Sequence, residues 1–201
     1  MERSFQTGDI MRQYMDDHND VVLKKCFDCL VNLGLEQTSM RDFCNATKLS
    51  TSSLYYRFKN KDEIILEAAY FGLTNITKEL FWVAAVKISN YRELFESIVG
   101  NVELRITRIR LIYQIATSPK YGDEFRKKTL HISDVYATYT QMISEHLGCS
   151  YKELKPYVDL FVASIREYVV WEDRERLSQE LMHIYVSLKN IANLQLEANA
   201  L

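Results

Sequence analysis

Short polar side chains, phenols and a cation surround two apolar positions between residues 50 and 58. The apolar residues Leu54 and Phe58 are four positions apart, as on one face of a helix. Hydroxyls, phenols and guanidinium groups form hydrogen bonds with base edges and phosphate oxygens. The chemistry available in this segment is therefore non-covalent recognition of nucleic acid. The polar residues are Thr51, Ser52, Ser53, Tyr55, Tyr56 and Arg57.

A second short helix is predicted just before this segment. Ser39 and Asp42 have the spacing of a capping box, in which a hydroxyl and a carboxylate satisfy the first amides of a helix. Leu49 lies in the predicted turn, and Ser50 can cap the helix that follows. Two short helices joined by a tight turn indicate a helix-turn-helix, with the second helix as the reader. The apolar face of the first helix is formed by Met40, Phe43, Cys44 and Thr47.

The stretch from Thr38 to Glu63 resembles the DNA-binding domain of the TetR family of bacterial transcription regulators. The pattern of that family has a capping Thr or Ser, an Ile-Ala pair, a Gly-Val-Ser turn, Leu-Tyr, and then Phe and Lys. Two features depart from it: Phe43-Cys44 replaces the Ile-Ala pair, and Lys48 stands where Gly is usual. We predict that Lys48 keeps the positive φ of that glycine. The matching positions are Ser39, Phe43-Cys44, Lys48-Leu49-Ser50, Leu54-Tyr55, Phe58 and Lys61.

The resemblance implies phosphate contacts from Tyr55, late in the reading helix, and from Lys61, at the start of the next helix. A phenol and an ammonium group reach phosphate oxygens without reading sequence. Core packing is the alternative for Tyr55, and a purely capping role is the alternative for Ser39. The candidate DNA-contacting residues are Ser39, Arg41, Lys48, Thr51, Ser52, Tyr55, Tyr56 and Lys61.

Charge and composition favour an all-α protein with a confined basic surface. The whole chain has a net charge of −2, whereas residues 38–61 contain five cations and one anion. Only 6 Gly and 2 Pro among 201 residues indicate long helices with short connections. We expect an N-terminal extension and helix-turn-helix domain over residues 1–61, and a larger helical domain for effector binding and dimerisation over residues 62–201.

The elements around the motif follow from periodicity. Residues 1–17 are aperiodic, and Asn19 or Asp20 is predicted to cap a first helix that ends at Gly34. Further helices are predicted from Asp62 to Val86, from Tyr91 to Thr117 with Gly100 as a possible break, and from about Asp123 to Leu147. The predicted core of the N-terminal bundle is Phe27, Leu30, Phe43, Leu54 and Phe58.

The last two predicted helices carry broad apolar stripes, which run from Leu154 to Val169 and from Leu177 to Leu196. These stripes are wider than one small bundle can cover, so we predict a homodimer with a four-helix interface. The family resemblance also implies a small-molecule effector that releases the protein from a DNA operator, as in a repressor. Core packing is the alternative for each candidate ligand-binding aromatic: Trp82, Tyr113, Tyr136, Tyr139, Phe161 and Tyr168.

Other chemistries find little support. The four His residues have no catalytic partner placed by a motif, and Cys26 and Cys29 lack a second pair that would complete a metal site. We therefore expect no enzyme activity, no cofactor and buried structural thiols, in a cytoplasmic protein with no signal peptide and no membrane span. Residues 172–176 are interpreted as a solvated charge run. The competing functional class is a dimeric ligand-binding protein whose helix-turn-helix no longer binds DNA.

Overall fold

A computed structural model of the chain describes the backbone of residues 7–198 and the side chains of residues 19–191. All regular secondary structure within these ranges is helical, which confirms the all-α prediction. The helices are α1 (Thr7–Leu33), α2 (Met40–Thr47), α3 (Thr51–Arg57), α4 (Lys61–Lys87), α5 (Tyr91–Thr117), α6 (Gly122–Lys128), α7 (Ile132–Leu147), α8 (Tyr151–Trp171) and α9 (Arg174–Ala198). None of the described helices is long and apolar enough to cross a membrane.

The helices form two compact units. The first contains the described residues up to Leu73 together with Leu111–Thr129, and the second contains Thr74–Arg110 together with the described residues from Leu130 onward. Both α4 and α5 therefore contribute to each unit. The functional boundary near Lys61 remains a prediction, because this division concerns compactness alone.

The core of the first unit is the one that the apolar spacing predicts. Phe27, Leu30, Phe43, Leu54 and Phe58 are all buried, with at most 5% of any of them exposed. Burying side chains of this size contributes about 1.5–3 kcal/mol each. The short helices α2 and α3 are stabilised by this shared core, because helices of 8 and 7 residues are not stable alone.

The start of α1 differs from the prediction. The helix begins at Thr7, so Asn19 and Asp20 lie inside it and neither caps it. The polar stretch before Asn19 contains no Pro, and its Met, Arg and Gln residues are good helix formers. The polarity of residues 7–18 therefore does not prevent the helix from beginning well before Asn19. Residues 1–6, which the prediction also treated as aperiodic, lie outside the described range.

Two further helix boundaries were tested. Helix α5 is continuous through Gly100, so this glycine is not a break. The single helix predicted from Asp123 to Leu147 is wrong, because the chain turns between Lys128 and Ile132. The hydroxyl of Thr129 donates a hydrogen bond to the carbonyl of Arg126 at 3.0 Å, and the cations that end α6 suit a helix C-terminus. Gly148 ends α7 with φ 66°, as expected of a left-handed cap.

In the second unit, α8 and α9 pack against each other through the predicted stripes. Leu154, Val158, Ile165, Leu177 and Leu181 are buried. Leu196, at the end of the second stripe, lies outside the range of described side chains.

The charge run that joins α8 to α9 is exposed but not merely solvated. Arg174 forms ion pairs with Glu96 at 2.7 Å and Glu103 at 3.2 Å, and Arg110 pairs with Glu172. The connector between the last two helices is therefore tied to α5, which corrects the interpretation of residues 172–176. Glu172 adopts φ 54°, in the left-handed region.

Candidate nucleic-acid interface

Helix α2 begins with the predicted capping box. The Ser39 amide and hydroxyl donate to one carboxylate oxygen of Asp42 at 2.8 and 2.6 Å, and the Asp42 amide donates back to the hydroxyl at 3.4 Å. These bonds from Ser39 are the main reason that the pKa of Asp42 is lowered, and the cations of Arg41 and Lys61 add to the effect. The box fixes the first turn of α2 and leaves Ser39 exposed at its end.

The turn after α2 has the left-handed conformation that a glycine usually adopts at this position of the motif. Lys48 adopts φ 63° and ψ 23°, and its amide donates to the carbonyl of Cys44 at 2.8 Å. The Thr47 hydroxyl donates to the Phe43 carbonyl at 2.7 Å and accepts from the Leu49 amide at 3.3 Å. The predicted positive φ at Lys48 is confirmed. The turn keeps its geometry although its residue has a Cβ.

Helix α3 turns its apolar side inward and its phenols outward. The Ser50 hydroxyl caps the helix by accepting from the Ser53 amide at 3.1 Å. Leu54 is 0% exposed, whereas Tyr55 is 48% and Tyr56 86% exposed. Core packing, the alternative for Tyr55, does not fit a side chain with half of its surface in solvent. Both phenols are available for contact with another molecule.

The hydroxyls at the start of α3 are exposed but already have partners. The Thr51 hydroxyl lies 3.4 Å from the Cys44 sulfur, and the Ser52 hydroxyl lies 2.9 Å from that of Ser50. A hydroxyl has one donor and two acceptor sites, so each can form a further bond to a base or a phosphate. These contacts preset where the two hydroxyls lie.

The cations of the motif are distributed over its surface. Arg41 and Lys48 are exposed, and Lys61 is half-buried as the first residue of α4. Arg57, which the sequence groups with the outward donors of α3, instead donates to the side-chain oxygen of Asn19 at 2.7 Å. Sequence reasoning missed this partner because the two residues are 38 positions apart.

A second feature that the sequence did not reveal holds the first turn of α4. Lys120 and Tyr121, in the loop between α5 and α6, donate to one carboxylate oxygen of Asp62 at 2.6 and 2.9 Å. The hydrogen bond from Lys120 is the main cause of the lowered pKa of Asp62. Lys61 is the neighbour of Asp62 in that turn, so these bonds help to fix the backbone that carries a candidate phosphate contact.

The second unit contains an apolar cavity of about 50 Å³. Two of its three phenols are already engaged, because Tyr91 donates to the Ser178 carbonyl at 2.8 Å and Tyr185 to the Ser89 carbonyl at 3.1 Å. Ligand sites typically have volumes of about 300–1,000 Å³, so this cavity is small. The lining residues are Phe81, Ala84, Ile88, Tyr91, Leu94, Phe95, Ile98, Ile143, Leu154, Tyr157, Val158, Phe161, Leu181, Ile184, Tyr185 and Leu188.

Of the six aromatics predicted to bind a ligand, Phe161 alone is among these lining residues. Trp82 is 53% exposed, and Tyr136 is stacked on Phe81 with ring centroids 4.2 Å apart. Tyr168 donates to Glu103 at 2.8 Å, and burial followed by this bond raises its pKa to about 12. Tyr139 is half-buried, and Tyr113 belongs to the first unit. The structure therefore does not bring the six side chains together.

The cysteines are thiols, and Cys26, Cys29 and Cys149 are buried. Burial is the main cause of the high pKa of Cys26, which is about 12. A thiol with such a pKa is protonated at neutral pH and is a poor nucleophile and metal ligand. Among the described residues, no group of His, Cys, Asp or Glu has the arrangement of a metal site.

Comparison with known proteins agrees with this geometry. Residues 27–68 match the family model for bacterial regulatory proteins of the tetR family. No curated protein matches the sequence. A TetR family transcription regulator from Marinobacter aquaeolei VT8 is similar in structure, with a TM-score of 0.53 and 15% identity over 90% of this chain and 96% of that one.

A second solved structure, assigned to the tetR family of transcription regulators and from Shewanella sp. PV-4, has a TM-score of 0.50 and 12% identity. The alignment covers 86% of this chain and 96% of that one. At these identities the likeness concerns the fold. The match over residues 27–68 spans the helix-turn-helix, so this segment of the chain has the sequence pattern of the bacterial regulatory proteins of the tetR family.

Proposed function

We propose that this protein is a transcription regulator of the TetR type that binds a near-palindromic DNA operator as a homodimer, with α3 in the major groove. The observation that carries the proposal is the intact turn at Lys48, with φ 63°. Because the turn is kept, α3 presents its hydroxyls and phenols outward while Leu54 and Phe58 remain in the core. Tyr55 and Lys61 are assigned to phosphate, and Thr51, Ser52 and Tyr56 to base edges.

The same observation weighs against a protein that has lost DNA binding. That alternative rested on the strain of a Lys at the usual glycine position. A non-glycine residue in this conformation costs about 1 kcal/mol, which is small beside a typical domain stability of about 5–15 kcal/mol. The capping box of α2 and the Ser50 cap of α3 are also present. The local requirements for a reading helix are therefore met.

The surface assigned to dimerisation is the groove between α8 and α9. Leu160 is 53% exposed there, and the groove has a volume of about 340 Å³. Arg176 pairs with Glu167 at 3.7 Å and with Glu180 at 2.8 Å within the same chain, so the charges that border the groove are already compensated. A groove with exposed apolar side chains and compensated charges suits a second copy of the chain. Such an interface buries more than about 1,000 Å² in total.

Effector control is proposed to act through the apolar cavity of the second unit. Its lining contains no charged side chain, so an uncharged apolar molecule is the class of effector that it suits. With a volume of about 50 Å³, the cavity must expand before it admits a molecule of drug size. Effector binding would then shift the protein towards a conformation with lower operator affinity. This is repression relieved by a ligand.

The deciding experiment is a salt titration of binding to a duplex of mixed sequence. Neutralising several phosphates gives a steep fall of log K with log salt concentration, with a slope of about −0.9 for each contact. Regulated binding further requires a much higher affinity for an inverted repeat from the DNA beside the gene than for the mixed duplex. Absence of salt-dependent binding to either duplex would leave the ligand-binding alternative.

A further inference from the structure

One hydrogen bond joins the end of the reading helix to α1. The guanidinium of Arg57 donates to the side-chain oxygen of Asn19, with the two heavy atoms 2.7 Å apart. Arg57 is the last residue of α3. Both side chains are half-buried. A hydrogen bond from a charged donor is stronger than a neutral one, and partial shielding from water increases its contribution.

The orientation of α3 depends on contacts of this kind, because seven residues form too short a helix to be rigid alone. Leu54 and Phe58 hold one side of the helix in the core, with 0% and 5% of their surfaces exposed. They are four positions apart and define only one line of attachment. Arg57 adds an attachment directed at a different helix. Three such points restrict the tilt of α3 as well as its depth.

The position of Asn19 supports this role. Asparagine is unfavourable inside a helix, because its side chain competes for backbone hydrogen bonds. Helix α1 begins at Thr7, so Asn19 does not act as a cap. Its side-chain oxygen instead serves as the acceptor for Arg57. The hydrogen bond to Arg57 therefore offsets the low helix propensity of Asn19 inside α1.

We propose that Arg57 is a positioning residue of the DNA-binding surface, which holds the end of α3 against α1 and does not neutralise a phosphate. The proposal rests on the proposed function of the helix-turn-helix. It divides the cations of the motif by role: Lys61 contributes to the salt dependence of binding, whereas Arg57 contributes to affinity through geometry.

The test removes the acceptor and leaves the cation. In the full chain, Asn19→Ala should weaken binding to the duplex about tenfold, as expected for the loss of a charged hydrogen bond, with an unchanged salt slope. Asn19→Asp keeps an acceptor oxygen for Arg57 and should restore the affinity. Val21→Ala, at a neutral position on α1 with 54% exposure, is the control and should bind as the parent protein does. Circular dichroism confirms that each variant is folded.

The opposite assignment has a different signature. If Arg57 neutralises a phosphate, Asn19→Ala keeps its affinity, and Arg57→Met lowers the salt slope by about one, as loss of Lys61 would. That pair of results would overturn the proposal.

A measurement on the free protein separates this inference from the proposed function. Hydrogen exchange of the α3 amides should be faster in Asn19→Ala and return to the parent rate in Asn19→Asp. This result supports the positioning role even if the parent protein binds no duplex, an outcome that would contradict only the proposed function. Equal exchange rates in all three proteins would overturn the positioning role, whatever the DNA affinity.

Discussion

The ring of Phe27 lies directly against Gly72, so that a Cβ atom built on Gly72 would be 2.4 Å from the ring carbon Cζ. Phe27 belongs to α1 and is 2% exposed. Gly72 lies inside α4, where glycine is otherwise unfavourable. The missing side chain allows α1 and α4 to approach closely.

Gly72→Ala should therefore destabilise the protein. The overlap with Phe27 costs about 1–3 kcal/mol, and the higher helix propensity of Ala offsets about 1 kcal/mol of it. Gly100→Ala is the matched control, because no atom lies within 4 Å of a Cβ at that helical position. It should stabilise α5 by about 1 kcal/mol. Urea unfolding should give opposite signs for the two variants, and equal signs would contradict the assigned packing.

Removal of the Lys61 ammonium should weaken DNA binding. Lys61→Ala is expected to lower affinity about equally for all sequences and to reduce the salt slope by about one, because a phosphate contact carries no sequence information. Fluorescence anisotropy at several salt concentrations measures both quantities. Lys152→Ala, which removes an exposed ammonium from α8, should leave both unchanged. Unchanged binding by Lys61→Ala would remove this residue from the interface.

The strain at Lys48 predicts a gain in stability on substitution. Lys48→Gly should stabilise the protein by about 0.5–1 kcal/mol, since glycine adopts positive φ without a Cβ clash. Lys48→Ala keeps the Cβ atom and should change stability by less than about 0.5 kcal/mol. Thermal unfolding compares the three proteins. If Ala and Gly were equally stabilising, the lysine charge and not the backbone would be the cause.

The proposed dimer surface predicts a change in oligomeric state. Leu160→Glu places a charge in the groove between α8 and α9, where a second copy would have to bury it, and burying an unpaired charge is costly. The variant should be monomeric at micromolar concentration in light scattering, whereas the parent protein should be dimeric. Leu104→Glu, at a 78% exposed position on α5, is the control and should remain dimeric. A monomeric parent protein, or a dimeric Leu160→Glu, would contradict the assignment.

The apolar cavity predicts a response to an apolar probe. Ile98 lines it and is 1% exposed, so Ile98→Ala should enlarge it at a cost of about 2–5 kcal/mol. Benzene should then raise the melting temperature of this variant more than that of the parent, because dry apolar cavities bind such molecules. Ile115→Ala removes the same atoms from a fully buried site that is not part of the cavity lining. An equal response of both variants would argue against the cavity as a ligand site.

Local chemistry was predictable from the sequence. The capping box of Ser39 and Asp42, the cap at Ser50 and the positive φ of Lys48 each depend on residues within a few positions. Gly34, which directly follows α1 with φ 87°, was recognised for the same reason. Such features are set by short-range sterics and hydrogen bonds, which a sequence displays directly.

Features that depend on distant partners were not predictable. Asn19 could be taken for a cap because Arg57, which donates a hydrogen bond to its side-chain oxygen, is far away in sequence. Gly72 had no evident role until Phe27 was placed against it. The cavity lining also differs from the predicted aromatics, since a helical periodicity identifies the buried face but not which buried side chains leave space between them. The helix break at Thr129 was missed because its apolar pattern continues across the turn.

Segment 111–129 and the helix-turn-helix belong to one compact unit. This organisation limits how the motif can be exchanged between proteins. A fragment that ends at Lys61 would lose Gly72, against which Phe27 packs, and also the bond from Lys128 to Glu67 at 2.7 Å. It would also lack the ion pair between Asp62 and Lys120, which holds the first turn of α4. A chimaera that transplants this reading head onto another regulator must therefore carry two separate stretches of the chain, and recombination at a single crossover would leave the transplanted core incomplete.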